Sequence, residues 1–251
     1  MRAPALALCL LSATLVMAMD RTTADTLAAR ATAAYAKGDH AGALALFDSV
    51  YQDWRSAGLA YAIGNCHFKL GHVPQAIVYY ERALLLEPGA EDVKANLELA
   101  RQRTMDRVNE LPTFRLGGTW ERWLGGHDLD QWARRSLWGW CLACALAAVG
   151  LLLRATLRTT VLALAGGCAL FAAVSVGLAA RRLRAVEHPG AAIVVQPRVD
   201  VRSEPRDGAT TLFMLHAGTK VALGAANAGW VEVTLANGHV GWMPAAALET
   251  I

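Results

Sequence analysis

The chain has few charged residues, and none of them lies inside its two longest apolar runs. Acidic and basic types make up 18% of the 251 residues, whereas apolar types make up 55%. The runs, at residues 136–153 and 160–180, are each about long enough to cross a hydrocarbon core of ~30 Å at 1.5 Å per residue. Because lipid offers no water to an open backbone, the pair predicts a helical hairpin in a membrane.

Cysteine is too scarce for a disulfide framework, so core packing must hold the soluble parts of the chain together. The five cysteines are Cys9, Cys66, Cys141, Cys144 and Cys168, and the last three lie in the apolar runs. None of the seven histidines stands at metal-ligand spacing from another ligand type. We expect solvated loop positions for His188, His216 and His239.

Motifs for catalysis are also missing from the sequence. It contains no phosphate loop, no Ser-His-Asp pattern and no paired carboxylates that would suit acid–base chemistry. We therefore expect neither a cofactor nor a metal, and no enzymatic activity.

Charge is unevenly distributed along the chain. Residues 20–110 carry 10 basic and 12 acidic side chains, residues 111–185 carry 9 and 3, and residues 186–251 carry 4 and 6. The excess positive charge is thus arginine at the edges of the apolar runs, where anionic lipid attracts it. The slightly acidic flanking modules argue against nucleic acid as a partner.

Residues 1–18 have the pattern of a signal peptide. Arg2 precedes an apolar run at 3–18, and Val16-Met17-Ala18 fits the small-x-small cleavage pattern. An uncleaved anchor is the alternative, and both versions send residue 20 onward across the membrane. Leu8 stands before Cys9 where a lipoprotein needs a small residue.

The arginines give a conflicting signal about topology. Exported flanking modules leave the loop with Arg154 and Arg158 in the cytoplasm and put five other arginines outside, which the positive-inside rule disfavours. Those five are Arg134, Arg135, Arg181, Arg182 and Arg184. Because the first segment usually dominates, we predict a bacterial inner-membrane protein with two transmembrane helices and both soluble domains in the periplasm.

Residues 20–110 contain a repeat with an offset of 33 residues. Gly38, Ala43 and Phe47 correspond to Gly71, Ala76 and Tyr80, which predicts paired antiparallel helices in close contact. The clearer second copy has Gly64, Gly71, Ala76, Tyr80, Ala83 and Pro88. It resembles the tetratricopeptide repeat, with Ala60 and His67 in place of the usual Trp and Tyr. A partial third copy at 91–110 caps the stack, which is short enough to need support from a partner or the membrane.

Residues 111–135 predict an interfacial segment. Helix-breaking glycines and Pro112 alternate with Trp120, Trp123 and Trp132, as in the aromatic belts that flank membrane spans. Trp138 and Trp140 continue the belt into the first run.

Residues 186–251 predict a series of short strands. Asn237-Gly238 favours a two-residue hairpin turn, which pairs Leu235 with Val240 and Val233 with Trp242. That register puts Trp242 and Val240 in the core, with Trp230, Glu232 and Thr234 on the opposite face.

This segment resembles the bacterial SH3 fold. The matching stretches are Val199-Asp200-Val201-Arg202-Ser203-Glu204-Pro205, Leu215-His216-Ala217-Gly218-Thr219-Lys220-Val221, Gly229-Trp230-Val231-Glu232-Val233 and Asn237-Gly238-His239-Val240-Gly241-Trp242. The predicted fold class is therefore multidomain: all-α tetratricopeptide-like repeats, a two-helix transmembrane hairpin and a small all-β SH3-like barrel.

The complete domain order resembles the BatE-type proteins of the bacterial aerotolerance operon. Asp92-Val93-Lys94-Ala95-Asn96-Leu97 and the C-terminal Gly241-Trp242 and Leu248-Glu249-Thr250-Ile251 add to the likeness. The resemblance implies an envelope protein that works beside von Willebrand factor A-type membrane proteins and an AAA-type ATPase in assembly or stress tolerance.

Two surfaces are candidate binding sites. Helical register places one set of side chains on the concave side of the repeats, where they suit an extended peptide: Tyr35, Tyr61, Asn65, Phe68, Lys69 and Asn96. Ordinary packing between repeats is the alternative for Phe68. On the SH3-like module the candidate ligand face comprises Arg202, Trp230 and Glu232, with strand packing as the alternative for Trp230.

Cys141 and Cys144 suggest a different chemistry. Three residues apart on a helix, the two thiols share one face and suit a redox pair. Apolar surroundings work against reactivity, and packing in a helix interface beside Ala143, Ala147, Gly150, Gly166 and Gly167 is the alternative.

The main functional prediction is a membrane-tethered periplasmic scaffold that binds envelope proteins through the repeat groove and the SH3-like domain. Tethering both modules raises the local concentration of a partner at the second site. The alternatives are a membrane thiol-redox protein and a sensor whose SH3-like domain binds peptidoglycan. Membrane lipid is a partner in each case.

Overall fold

The structure, a computed structural model, describes residues 19–106, 129–187 and 190–251. The predicted signal peptide, Trp120, Trp123 and His188 lie outside these ranges. Seven helices and seven strands occupy the described part of the chain. The helices are α1 (Arg21–Ala36), α2 (His40–Asp53), α3 (Ala57–Lys69), α4 (Val73–Leu86), α5 (Glu91–Arg101), α6 (Leu129–Leu152) and α7 (Ala155–Glu187).

The first five helices form the two predicted repeats and a capping helix. Asp20, Asp39 and Ser56 accept hydrogen bonds from backbone N–H groups in the first turns of α1, α2 and α3, which fixes where these helices begin. Gly38 and Gly71 end the first helix of each repeat with φ of 85° and 83°. Glycine adopts this left-handed conformation without a steric penalty, so the repeat is encoded in equivalent turns.

Close contact between α3 and α4 explains the spacing of small and aromatic residues in the second repeat. Gly64 is buried, and a Cβ atom at this position would lie 2.7 Å from the ring of Tyr80. The Tyr80 side chain is fully buried. Any larger residue at position 64 would therefore push the two helices apart.

Helices α6 and α7 form an antiparallel hairpin. Both are long and apolar enough to cross a membrane, over Gln131–Leu152 and Leu157–Arg181. They touch where Gly139 meets Ala172 and where Gly150 meets Leu162, which agrees with small residues at membrane helix contacts. The prediction for Gly166 and Gly167 was wrong, since nothing described lies within 4 Å of a Cβ built on either.

The predicted aromatic belt is divided in the structure. Trp138 and Trp140 are exposed along α6, as residues at a membrane surface would be. Trp132 is instead buried in the protein, and the Arg135 guanidinium lies 5.1 Å from its ring centre. That distance suits a cation–π contact.

Residues 191–250 form one antiparallel sheet with the strand order β3-β2-β6-β5-β4-β1-β7. Its core contains buried Val194, Val201, Val221, Val233 and Met243. The strands are β1 (Ala191–Val194), β2 (Arg198–Arg202), β3 (Thr211–His216), β4 (Lys220–Asn227), β5 (Trp230–Thr234), β6 (Val240–Pro244) and β7 (Leu248–Thr250).

The register of the β5–β6 hairpin differs by one residue from the prediction. Glu232 pairs with Trp242 and Val233 with Gly241, and the Leu235 N–H donates to the His239 carbonyl. The loop thus has three residues and ends at Gly238 with φ of 85°, a common alternative to the two-residue turn. Because side chains alternate along a strand, Val240 and Trp242 leave the core and join the opposite face.

The repeat module and the β module pack against each other. Ile193 of β1 and Ile251 are buried in the same hydrophobic cluster as Ile77 of α4 and Leu97 of α5. The short repeat stack is thus supported by the β module. This support is intramolecular, where the sequence predicted a partner or the membrane.

Candidate functional site

A hydrogen-bond network links α3 to α4 and α5 at the predicted groove. The Asn65 side-chain carbonyl accepts from the Tyr80 hydroxyl at 2.8 Å and from Asn96 Nδ2 at 3.0 Å. Asn96 Nδ2 also donates to the Tyr61 hydroxyl oxygen at 2.9 Å. The structure therefore brings three of the predicted groove residues, Tyr61, Asn65 and Asn96, into direct contact.

This network leaves polar capacity unused. Asn65 Nδ2 and Asn96 Oδ1 make no hydrogen bond to another described residue, although both side chains are half-buried. One is a donor and the other an acceptor. Neither atom is among the buried polar atoms that lack a partner, so both are open to solvent and can pair with the N–H and C=O groups of a bound peptide.

Phe68 lies beside the network and carries a cation on its ring. The Arg103 guanidinium lies 4.2 Å from the Phe68 ring centre, within the range of a cation–π contact. Arg103 and Lys69 are both exposed. They place positive charge at the edge of the groove, where a carboxylate of a ligand would be attracted.

Tyr35 adds a half-buried ring to the groove, whereas Tyr80 is fully buried and supports Asn65 from the interior. Tyr35 packs on His40 with ring centres 4.9 Å apart, and burial together with its neighbours Cys66 and Tyr61 raises the pKa of its hydroxyl. Burial also raises the pKa of Tyr80. Both phenols are therefore neutral hydrogen-bonding groups. Sequence patterns predicted a packing role for Tyr80, which its burial against Gly64 confirms, and did not indicate Arg103, which follows α5 in a turn.

The second candidate surface is the face of β5 and β6 opposite the core. The Arg202 guanidinium lies 5.4 Å from the Trp230 ring centre, and Arg202 and Glu232 are both cross-strand partners of Trp242. All four side chains are half-buried. The corrected register thus adds Trp242 to the three residues that the sequence predicted.

The junction between the two modules is built on Asp106. One carboxylate oxygen accepts from the His216 backbone N–H and the Thr219 hydroxyl, each at 2.7 Å, and the other lies 2.7 Å from His216 Nδ1. Burial would raise the pKa of Asp106, but these hydrogen bonds together hold it below its usual value of 3.8. The prediction of a solvated loop for His216 was wrong, whereas His239 is exposed.

Ion pairs extend the same junction along α4. Glu81, whose side chain is 9% exposed, lies 2.7 Å from both Arg101 and Lys220. Arg82 donates to the Thr250 carbonyl at 2.6 Å and lies 3.1 Å from Glu249. The carboxylate of Glu81 is thus paired with a cation from each module, as a buried charge requires.

The junction and the groove use different parts of the repeat module. Contacts to the β module come from α4, the end of α5 and the following turn, whereas the groove side chains come mainly from α1, α3 and α5.

The direct contact between the two modules also has a consequence for membrane topology. Two modules that touch each other must lie on the same side of any membrane that the α6–α7 hairpin crosses.

Cys66 of the repeat module is not suited to thiol chemistry. Burial raises the pKa of Cys66 to about 11, so its thiol stays protonated and inert. Cys141 and Cys144 are free and exposed on the hairpin, which corrects the prediction that they pack between its helices. The redox hypothesis stays a prediction, to be tested by replacing both with serine.

Comparison with known proteins agrees with this architecture in two places. Residues 57–90, which form α3 and α4, match the tetratricopeptide repeat family, and residues 195–249 match the bacterial SH3 domain family. No curated protein and no solved structure matches the chain. The matches support a chain that combines helical repeats with an SH3-like domain, two modules that are generally associated with protein or cell-wall binding.

Proposed function

We propose that this protein is a membrane-tethered scaffold that holds an extended segment of an envelope protein in its repeat groove. The α6–α7 hairpin anchors it in the bacterial inner membrane, with both soluble modules in the periplasm. The SH3-like face supplies a second contact to the same partner or to a neighbouring one. The observation that carries the proposal is the hydrogen-bonded Asn65–Asn96 pair, whose remaining amide N–H and carbonyl oxygen are open to solvent at the groove.

The chemistry of the groove favours one class of ligand. Two side-chain amides can form paired hydrogen bonds with the backbone of an extended peptide. Tyr35 and Tyr61 offer aromatic contact, while Arg103 and Lys69 favour an acidic side chain or a terminal carboxylate. The proposed ligand is therefore an extended segment with at least one carboxylate near the amide pair.

The module junction gives the scaffold a fixed geometry. Ion pairs and the shared apolar cluster hold the groove at a set position relative to the Trp230–Trp242 face. A ligand that contacts both surfaces then avoids part of the entropy cost that a flexible linker would impose. The scaffold acts as one rigid unit above the membrane.

Photocrosslinking from the groove tests the proposal in cells. A photoreactive amino acid at Lys69, on the exposed edge of the groove, should trap an envelope protein. Replacing Asn65 and Asn96 by alanine should reduce that product at least several-fold, because it removes the amide pair without touching the crosslinker.

A photoreactive residue at Gln52 provides the matched control, since Gln52 is exposed on α2 and is not one of the groove residues. It should trap different proteins or none. The proposal fails if the Lys69 product is insensitive to the two alanine substitutions or is identical to the Gln52 product.

A cell-wall ligand for the SH3-like domain is the second candidate. Half-buried Trp230 and Trp242 present indole rings on one face beside Arg202 and Glu232, an arrangement of aromatic and hydrogen-bonding groups that suits the sugar and peptide parts of peptidoglycan. Detergent-solubilised full-length protein should then sediment with purified wall. Replacing both tryptophans by alanine should abolish sedimentation, whereas the Asn65 and Asn96 substitutions should not.

For the specific biological setting we propose the one that the domain order resembles. Repeats, apolar hairpin and SH3-like domain occur in the same order as in the BatE-type proteins, which supports von Willebrand factor A-type membrane proteins as the partners in assembly or aerotolerance. Co-purification of such a protein with the Lys69 crosslink would identify the setting, and its absence from the trapped products would remove it.

A further inference from the structure

Met19, two residues before α1, is held at both of its backbone polar groups. Its N–H donates to Asp53 Oδ2 at 3.0 Å, and its carbonyl accepts from Trp54 Nε1 at 2.9 Å. Asp53 is the last residue of α2 and Trp54 follows it. Two adjacent side chains more than thirty positions away in sequence therefore hold this one residue.

The sequence marks the same residue for a different reason. Val16-Met17-Ala18 has the small-x-small pattern of a signal cleavage site, which puts the cut between Ala18 and Met19. The pattern depends on residues before the cut, whereas Asp53 and Trp54 contact the residue after it. The motif and the contacts are therefore independent observations that converge on one peptide bond.

We infer that Ala18–Met19 is the processing site and that Asp53 and Trp54 form a docking site for the new amino terminus. A signal-type endopeptidase adds water across this amide bond, so that Ala18 leaves with a carboxylate and Met19 keeps the nitrogen as an amine. At neutral pH the amine takes up a proton to become an ammonium group. The inference depends on the export step of the proposed function.

Processing strengthens the contact that the structure shows. Before cleavage the Met19 nitrogen is a neutral amide with one N–H, whereas afterwards it is a cation with three N–H donors. Hydrogen bonds between an ammonium and a carboxylate are about twice as strong as neutral ones. The C-terminal end of α2 adds to the attraction, since the helix dipole there favours positive charge.

The docked terminus also orders the start of the first repeat. Asp20, the next residue, accepts the Thr22 backbone N–H at 3.2 Å and caps α1. Fixing Met19 against the end of α2 thus positions the cap of α1.

The test uses the full chain with its own leader, produced in a bacterial host and purified in detergent. Intact mass and amino-terminal sequencing should give Met19 as the first residue. In the purified protein, NMR titration of the isotopically methylated α-amino group should give a pKa a few tenths above its usual value of about 7.7–8.0.

Asp53→Asn should return that α-amino pKa to its usual value, and the matched substitution Asp25→Asn, at an exposed position on α1, should leave it raised. A different first residue, an intact leader or an amine that titrates alike in wild type and Asp53→Asn would overturn the inference. The scaffold proposal would survive each of these results, since an uncleaved leader also carries the modules across the membrane and crosslinking from Lys69 is measured separately.

Discussion

Replacing Asp106 by asparagine should loosen the junction between the repeat module and the SH3-like module. The carboxylate makes three contacts of 2.7 Å to His216 and Thr219, and its side chain is only 18% exposed. A hydrogen bond to a charged group contributes about 1.5–3 kcal/mol. Asparagine keeps one acceptor oxygen and presents an NH₂ group to the remaining donors, so we expect a loss of about 2–3 kcal/mol for the set.

Hydrogen exchange at the His216 amide measures this loss directly, because that N–H donates to Asp106. Since 1.4 kcal/mol corresponds to a factor of ten, the amide should exchange about 30- to 150-fold faster in Asp106→Asn. Asp207→Asn provides the control. The Asp207 side chain is 96% exposed at 3.8 Å from Arg202, and an exposed pair of this kind contributes about 0–1 kcal/mol.

The pH dependence of the same amide follows from the lowered pKa of Asp106. A carboxylate whose pKa is lower in the folded state than in the unfolded state stabilises the folded state. This stabilisation is complete above the pKa of the unfolded state, here 3.8, and is lost as the pH falls through the pKa of the folded state. In the wild type, the protection of the His216 amide against hydrogen exchange should therefore decline below pH 3.8, after correction for intrinsic exchange. Unchanged exchange in Asp106→Asn, or protection lost equally from both proteins on acidification, would refute the reasoning.

Three further predictions concern the repeat module. Gly64→Ala should lower the free energy of unfolding by about 1–3 kcal/mol in urea, because its Cβ would meet the Tyr80 ring, whereas Gly58→Ala, in open space, should not. Burial and the nearby His72 lower the pKa of His67 to about 4, so the free energy of unfolding should rise between pH 4 and 6.5. His67→Phe should remove this pH dependence, and an unchanged pH dependence in the variant would exclude His67 as its source. Cys66 should react with a maleimide only on unfolding, given its burial and its raised pKa; rapid labelling of the native protein would contradict this.

Local sequence patterns predicted the helical part of the fold well. Gly38 and Gly71 mark equivalent turns, and the small residue at Gly64 opposite Tyr80 predicts close helix packing. These signals depend on contacts within one repeat, so the residues that make them recur at a fixed separation in the sequence. The apolar hairpin was equally clear, because its length and lack of charge need no information about neighbouring residues.

The register of the last hairpin was not predictable in the same way. Asn237-Gly238 suits both a two-residue and a three-residue loop, and the choice moves every following side chain to the other face. The structure selects the longer loop, which buries Met243 and Gly241 and turns Trp242 outward. A single residue of loop length thus changed the composition of the candidate ligand face.

Contacts between modules were not visible in the sequence. Asp106 and His216 are 110 residues apart and belong to different modules, so no spacing rule connects them. Arg103 was missed as a groove residue because it lies in a turn beyond α5, where helical register no longer applies. The sequence therefore indicated the groove residues on the helices, while the junction required the folded chain.

Labelling with a membrane-impermeant maleimide in intact cells tests the central claim most directly. In a background without native cysteines, a single cysteine would replace Asp92 on α5, Ala226 on β4 or Arg154 in the hairpin loop, all exposed positions. The account predicts that the first two react in intact cells and that the third reacts only after the membrane is opened. Labelling of just one of the two modules in intact cells would contradict it.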